Sequence, residues 1–209
     1  MLDYIDLGEF DYNRFLKSDV SNIATITYSE NAPLQIVFVI DASNSMQGYK
    51  IGAVNEFVNN SISLLGSIDH NREKPISVSV IGFSSRLFKW TDSFVRASDF
   101  IYSYVEMTDG VTDFSAAIDE ISLLTETKME KDSKKYVILF SDGLATDSYK
   151  DSLSNWRRSA LYSDVMKIAV TFEEDLCDPQ SMEFFVDFTD AGMIIPISAQ
   201  EQLLKAILK

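Results

Sequence analysis

The chain has one cysteine, Cys177, so no disulfide can form within it, and a lone thiol is compatible with a reducing compartment. Cys177 lies among acids with no histidine near it in sequence, so no thiol–imidazole nucleophile is in view. The one histidine, His70, sits in the polar turn His70-Asn-Arg-Glu-Lys-Pro75 and reads as a solvated side chain. Positive charge is scarce as well: 18 Lys and Arg against 32 Asp and Glu leave a net charge of -14. That balance argues against a nucleic-acid backbone as partner, which rewards clustered Lys and Arg. It suits basic partners or bound cations. No apolar run is long enough to cross a membrane, and no basic-then-apolar leader opens the sequence MLDYIDLGEFDYNRF. The expectation is a cytoplasmic protein with neither membrane nor nucleic acid as partner.

What is present is a globular chain of 209 residues with 14 Phe and 9 Tyr, long enough for one α/β domain with a full core. Residues 1–33 read as an N-terminal extension that packs on the domain, too short for a core of its own; Ile23–Tyr28 within it is a plausible strand. The domain itself is expected over 34–209.

Leu34 to Met46, LQIVFVIDASNSM, organises that domain. Five consecutive large apolar residues, Ile36 to Ile40, suit a strand buried on both faces, as in a parallel sheet. Ile51, Val54, Val58, Ile62 and Leu65 then recur at helical spacing. Ile76–Phe83, the turn Ser84-Ser85 and Arg86–Trp90 read as a hairpin that gives the sheet one antiparallel edge strand. Tyr136–Phe140 is a second doubly buried run, and Val165–Thr171 and Met193–Ile197 are further strands. Helices are expected at about Phe114–Leu124 and Tyr149–Arg158, with a short one between Ala97 and Val105. Another is expected after the cap Asp178-Pro179, and a last one opens with the capping box Ser198…Glu201. Strands alternating with helices predict a doubly wound, mostly parallel α/β sheet with helices on both faces.

The strand ends carry oxygen. Asp41, Ser43 and Ser45 follow the first buried strand, Thr112 lies in the turn-rich loop Met107–Asp113, and Ser141-Asp142-Gly143 follows the second. In open α/β sheets ligands bind at the carboxyl ends of the strands. Two carboxylates, Asp41 and Asp142, and three hydroxyls, Ser43, Ser45 and Thr112, suit an octahedral Mg²⁺ or Mn²⁺ completed by water, and disfavour zinc or copper. For the first loop alone, helix capping is the plain alternative, because Asp and Ser are preferred caps. The acid-rich stretch Phe172–Asp190 reads as a solvated face, with a second cation site as the alternative, and Lys134-Lys135 and Arg157-Arg158 read as surface pairs.

Asp41-x-Ser43-x-Ser45-Met46, then Thr112 with Ala117-Ile118, then Ser141-Asp142-Gly143 with Thr146-Asp147, resembles the von Willebrand factor A domain family and its metal-ion-dependent adhesion site. The resemblance runs from about Leu34 to the C-terminus, and is nearest to bacterial cytoplasmic members such as those of tellurium-resistance-type operons. It implies Ser43, Ser45 and Thr112 as hydroxyl ligands, with Asp41 and Asp142 binding directly or through water. Asn44 stands where many members have Gly, Gly110-Val111 replaces a common Gly-Gly, and Ala145 replaces a frequent Pro. The implied ion is Mg²⁺ or Mn²⁺, with Ca²⁺ third.

The function expected is a binding module. An ion held mainly by neutral hydroxyls keeps much of its charge, so an Asp or Glu of a protein partner can displace its water and complete the shell. The rival is a haloacid-dehalogenase-type phosphatase, which also places an Asp and Mg²⁺ after its first strand. That chemistry needs a second Asp two residues on as general acid, where this chain has Ser43. No lysine follows a glycine-rich loop, so a phosphate-binding loop is not indicated either.

Overall fold

The computed structural model describes residues 32–106, 109–190 and 192–208. The strand expected at Ile23–Tyr28 lies outside them, as does nearly all of the expected extension. Strand β1 (Leu34–Asp41) is buried at all eight positions, which is why its middle, Ile36–Ile40, is a continuous apolar run and not an alternating one. It pairs in parallel with β2 (Ile76–Phe83) on one side and β5 (Lys134–Phe140) on the other; Phe38 stands level with Val80 and Ile138.

The sheet continues through β6 (Val165–Thr171) to β7 (Ile194–Pro196), both parallel. At the other edge, β3 (Leu87–Lys89) and β4 (Val95–Arg96) both run antiparallel to β2, pairing with Ile81–Phe83 and Ser77–Val78 respectively. The single antiparallel edge is therefore made in two pieces. The strand order is β3-β2-β1-β5-β6-β7.

Helices cover both faces, because adjacent strand residues point to opposite sides. Ile36, Phe38 and Ile40 join Val54, Phe57 and Val58 of α1 (Tyr49–Asp69) and Leu203 and Ile207 of α5 (Gln200–Ile207). Val37 and Val39 join the other core. It is built from Ile118 and Ile121 of α2 (Phe114–Thr127), Trp156 of α3 (Lys150–Arg157), and Phe184 and Phe188 of α4 (Pro179–Phe188). Each such side chain contributes roughly 1.5–3 kcal/mol when fully buried, and together they fix β1 and β5 as the rigid base of the loops that follow them.

Four local expectations are corrected. Ala97–Val105 forms no helix. The buried Asn55 of α1 holds this segment instead, donating to the Val105 carbonyl at 3.0 Å and accepting from the Val105 N–H at 2.9 Å and the Tyr102 hydroxyl at 2.8 Å. The capping box at Ser198 does not form, because that hydroxyl donates to Glu173 at 2.6 Å, and α5 begins behind Ala199 without a side-chain cap. Lys135 is buried, not a surface residue; its ammonium donates to the carbonyls of Lys131 and Ser133 at 2.9 and 3.0 Å. The stretch 172–190 is not a bare solvated face: Asp175 pairs with Lys50, Glu183 with Lys150 and Asp190 with Lys167, while Asp178 caps α4.

Candidate metal centre

The site starts where β1 ends. Asp41 is completely buried. One carboxylate oxygen accepts the Ser43 N–H at 2.9 Å and the other accepts the Ser141 hydroxyl at 2.6 Å. Burial pushes the Asp41 carboxyl up to about 6, against the hydrogen bonds from Ser141 and Ser43 and with a further push from the neighbouring carboxylate of Asp142. A buried anion is costly unless something neutralises it. This site therefore has an electrostatic use for a cation.

The two serines after Asp41 are not helix caps. Helix α1 begins behind Gly48, whose φ is 83°, with no side-chain cap, and Ser43 precedes the short 3₁₀ turn Asn44–Met46 without capping it. The Ser43 and Ser45 hydroxyls instead lie 3.1 Å from each other. Ser43 is buried and Ser45 exposed, so the pair leads from the strand end to the surface.

The second loop is tied to the first through the backbone. Asp109 N–H donates to the Ala42 carbonyl at 3.1 Å, and Asn44 N–H donates to the Gly110 carbonyl at 3.3 Å. Gly110 has a φ of 72°, and a Cβ there would lie 2.4 Å from Ser85 Oγ, so this contact needs glycine. Val111 points outward, 56 % exposed, while Thr112 is buried. Asp113 then caps α2 by accepting from the Ala116 N–H at 3.0 Å.

The third loop follows β5 and braces the second. Asp142 is completely buried, and one of its oxygens accepts the Leu144 N–H at 3.2 Å. Thr146 Oγ1 accepts the Thr112 N–H at 3.0 Å and donates to the Thr112 carbonyl at 2.8 Å. Both bonds use the Thr112 backbone and leave its hydroxyl out of them. Asp147 accepts from the N–H groups of Phe114 and Ser115 at 3.2 and 2.7 Å, and from the Ser115 hydroxyl at 2.5 Å.

All five residues singled out in the sequence thus stand on three loops linked at one edge of the sheet: Asp41, Ser43 and Ser45 on the first, Thr112 on the second and Asp142 on the third. Among the described residues no three His, Cys, Asp or Glu side chains cluster as a metal cage. An ion here must rely on hydroxyls and water beside Asp41 and Asp142, and that all-oxygen donor set fits a hard divalent cation.

Four further residues of this arrangement have no role assigned from the sequence, although Ser141 and Thr146 are named there as parts of the motif. Ser141 and Thr146 lie within the motif-bearing segment, and their bonding could have been suspected there. Lys50 and Asp175 carry no such signal: Lys50 Nζ lies 2.8 and 2.9 Å from the two Asp175 oxygens and 3.4 Å from Asp142 Oδ2, linking helix α1 to a residue 125 positions away.

Comparison with known proteins bears on the same segment. The family model for the von Willebrand factor type A domain matches residues 36–144, a span that contains all five candidate residues. A search of curated proteins finds no match. Among solved structures, the pilus adhesin SpaC from Lactobacillus rhamnosus GG in its open conformation is similar with a TM-score of 0.65 at 14 % identity, over 87 % of this chain and 30 % of that one. Proximal thread matrix protein 1 from the mussel byssus, with a zinc-occupied MIDAS motif, gives 0.63 at 16 % identity, over 85 % and 48 %. A von Willebrand factor type A protein from Catenulispora acidiphila gives 0.59 at 15 % identity, over 85 % and 42 %. The chain spans less than half the length of each of these three structures. At such identities the likeness is one of fold, and the family is carried by the sequence model over more than half of the residues: the chain belongs to the von Willebrand factor type A domain family.

Proposed function

We propose that this domain is a divalent-metal-dependent protein-binding module, in which Asp41, Ser43, Ser45, Thr112 and Asp142 hold Mg²⁺ or Mn²⁺ and the ion accepts an Asp or Glu of a partner protein. The observation that carries the reading is the interlocking of three loops around only two carboxylates, both buried, with the remaining donors being hydroxyls. Neutral hydroxyl ligands leave the ion electron-poor, and a partner carboxylate supplies the missing anionic ligand. This is how a chain of net charge -14 can accept an acidic group at one place.

The surroundings support docking at this edge. Val111 is 56 % exposed on the loop that carries Thr112, and Tyr49, which opens α1 just beyond the first loop, is 63 % exposed. Two apolar side chains beside a metal suit a partner that presents its acid next to an apolar residue. A phosphatase would need an acid at Ser43, and that hydroxyl is instead within hydrogen-bond distance of Ser45. Binding, and not turnover, is the role proposed. A cytoplasmic setting, as in bacterial members of tellurium-resistance type, is part of the same proposal and is supported by the lone cysteine.

The test is affinity capture from the source cell by immobilised full chain, with Mg²⁺ or with chelator, alongside Asp41→Ala. A partner retained only by wild type with Mg²⁺, and lost when one of its own Asp or Glu residues is changed to Ala, is the expected result. A partner held equally in chelator, or equally by Asp41→Ala, contradicts the proposal.

A further inference from the structure

Lys50 is the second residue of α1, yet its side chain is only 13 % exposed. The chain folds it inward over the Phe172 ring, with the ammonium 5.2 Å from the ring centre. That ammonium is shared between two acids. It meets both oxygens of Asp175 at 2.8 and 2.9 Å, and Asp142 Oδ2 at 3.4 Å. Of the two Asp142 oxygens, Oδ1 is engaged by the Leu144 N–H, so Oδ2 is the one the lysine faces.

We infer that Lys50 is a positioning residue that holds Asp142 back from direct metal contact, and that Asp175 sets how strongly it does so. The inference rests on the metal reading of the preceding section. A lysine ammonium is a compact point charge with three donors; two meet Asp175 here, and the third direction serves Asp142. A divalent ion reaching for Asp142 Oδ2 must displace a like charge already standing there. The ion is then left with Asp41 as its one carboxylate not paired with a lysine, and a partner's acid becomes the ligand that completes it. Lys50 thereby makes the site dependent on an acidic partner. Asp175 works in the opposite sense, because its two oxygens draw the ammonium away from Asp142.

Calorimetric titration of Mn²⁺ into the full chain tests this with Lys50→Met, Asp175→Asn and the double variant, each checked for folding by circular dichroism. Lys50→Met should bind Mn²⁺ at least about tenfold more tightly, the scale set by one like charge about 6 Å from a divalent ion even at a water-like dielectric constant of about 80. Asp175→Asn, which frees the ammonium to settle on Asp142, should bind more weakly by a similar factor.

The double variant is decisive because it removes one charge of each sign. It should bind more tightly than wild type, since Asp142 is released; a simple net-charge effect would return it to wild-type affinity, and that result overturns the inference. Lys50→Gln, alone and with Asp175→Asn, gives the same comparison where Lys50→Met does not fold. A wild-type chain that binds no Mn²⁺ overturns the metal reading itself, which separates the two failures.

Discussion

Thr146 grips Thr112 from both sides: one hydroxyl accepts the Thr112 N–H at 3.0 Å and donates to the Thr112 carbonyl at 2.8 Å. The loop after β5 therefore fixes the backbone of a candidate ligand on another loop, while the Thr112 hydroxyl takes no part in the grip. Thr146→Val keeps the shape and removes both bonds. It should lower stability by about 1–3 kcal/mol, because a polar backbone group loses its partner in a buried place. Urea unfolding measures this, and an unchanged midpoint would show that Thr112 is held by something else.

Asp69 governs behaviour in acid. Burial works to raise its carboxyl, but hydrogen bonds from Arg96, the Ile76 N–H and Ser98 outweigh it and hold the group at about 2. The folded value lies below the unfolded one of about 3.9, so the stabilisation is present above about pH 4 and is lost as pH falls through about 2. Asp69→Asn should be less stable than wild type at neutral pH, with a shallower decline in stability across that acid window. Parallel acid-denaturation curves for the two proteins would contradict the role given to Asp69.

Asp41 shifts the other way, up to about 6, with burial as the first cause. Here the folded state binds the proton more tightly, so the ionised carboxylate costs stability as pH rises from about 4 through about 6. A metal that binds only the ionised, folded form offsets that cost by mass action. Saturating Mg²⁺ should therefore raise the melting temperature clearly at about pH 7 and much less at about pH 5. An equal rise at both values would mean that the ion binds somewhere other than beside Asp41.

The serine pair should report on the ion without dismantling the fold. Ser45 is exposed and its hydroxyl meets Ser43 at 3.1 Å, so Ser45→Ala should leave the melting temperature of the metal-free chain within about one degree, as surface changes away from special features usually do. Its Mn²⁺ affinity should fall by roughly 10-fold, the worth of one contact to a charged group. Loss of stability with intact metal affinity would make the pair structural.

Much of this was legible in the sequence, for a physical reason. A strand covered on both faces favours apolar residues throughout its middle, so β1 and β5 stand out by the unbroken apolar runs Ile36–Ile40 and Tyr136–Phe140, which end at Asp41 and Ser141. The oxygen-bearing loops follow from where those runs stop. What stayed hidden depends on partners far along the chain. Asn55 replaces the helix expected near Ala97 by bonding Val105, 50 residues away. Ser198 abandons its capping box for Glu173, and Asp175 leaves an apparently solvated acidic stretch to meet Lys50. Local pattern reports propensity, and these choices were made by tertiary contacts.

Titration of Mn²⁺ into wild type and Asp41→Ala tests the central claim most directly. Asp41 is the buried carboxylate on which the proposed ion would depend most. One dominant site is expected in wild type and no measurable binding in Asp41→Ala with the fold intact. Unchanged binding in that variant would contradict it.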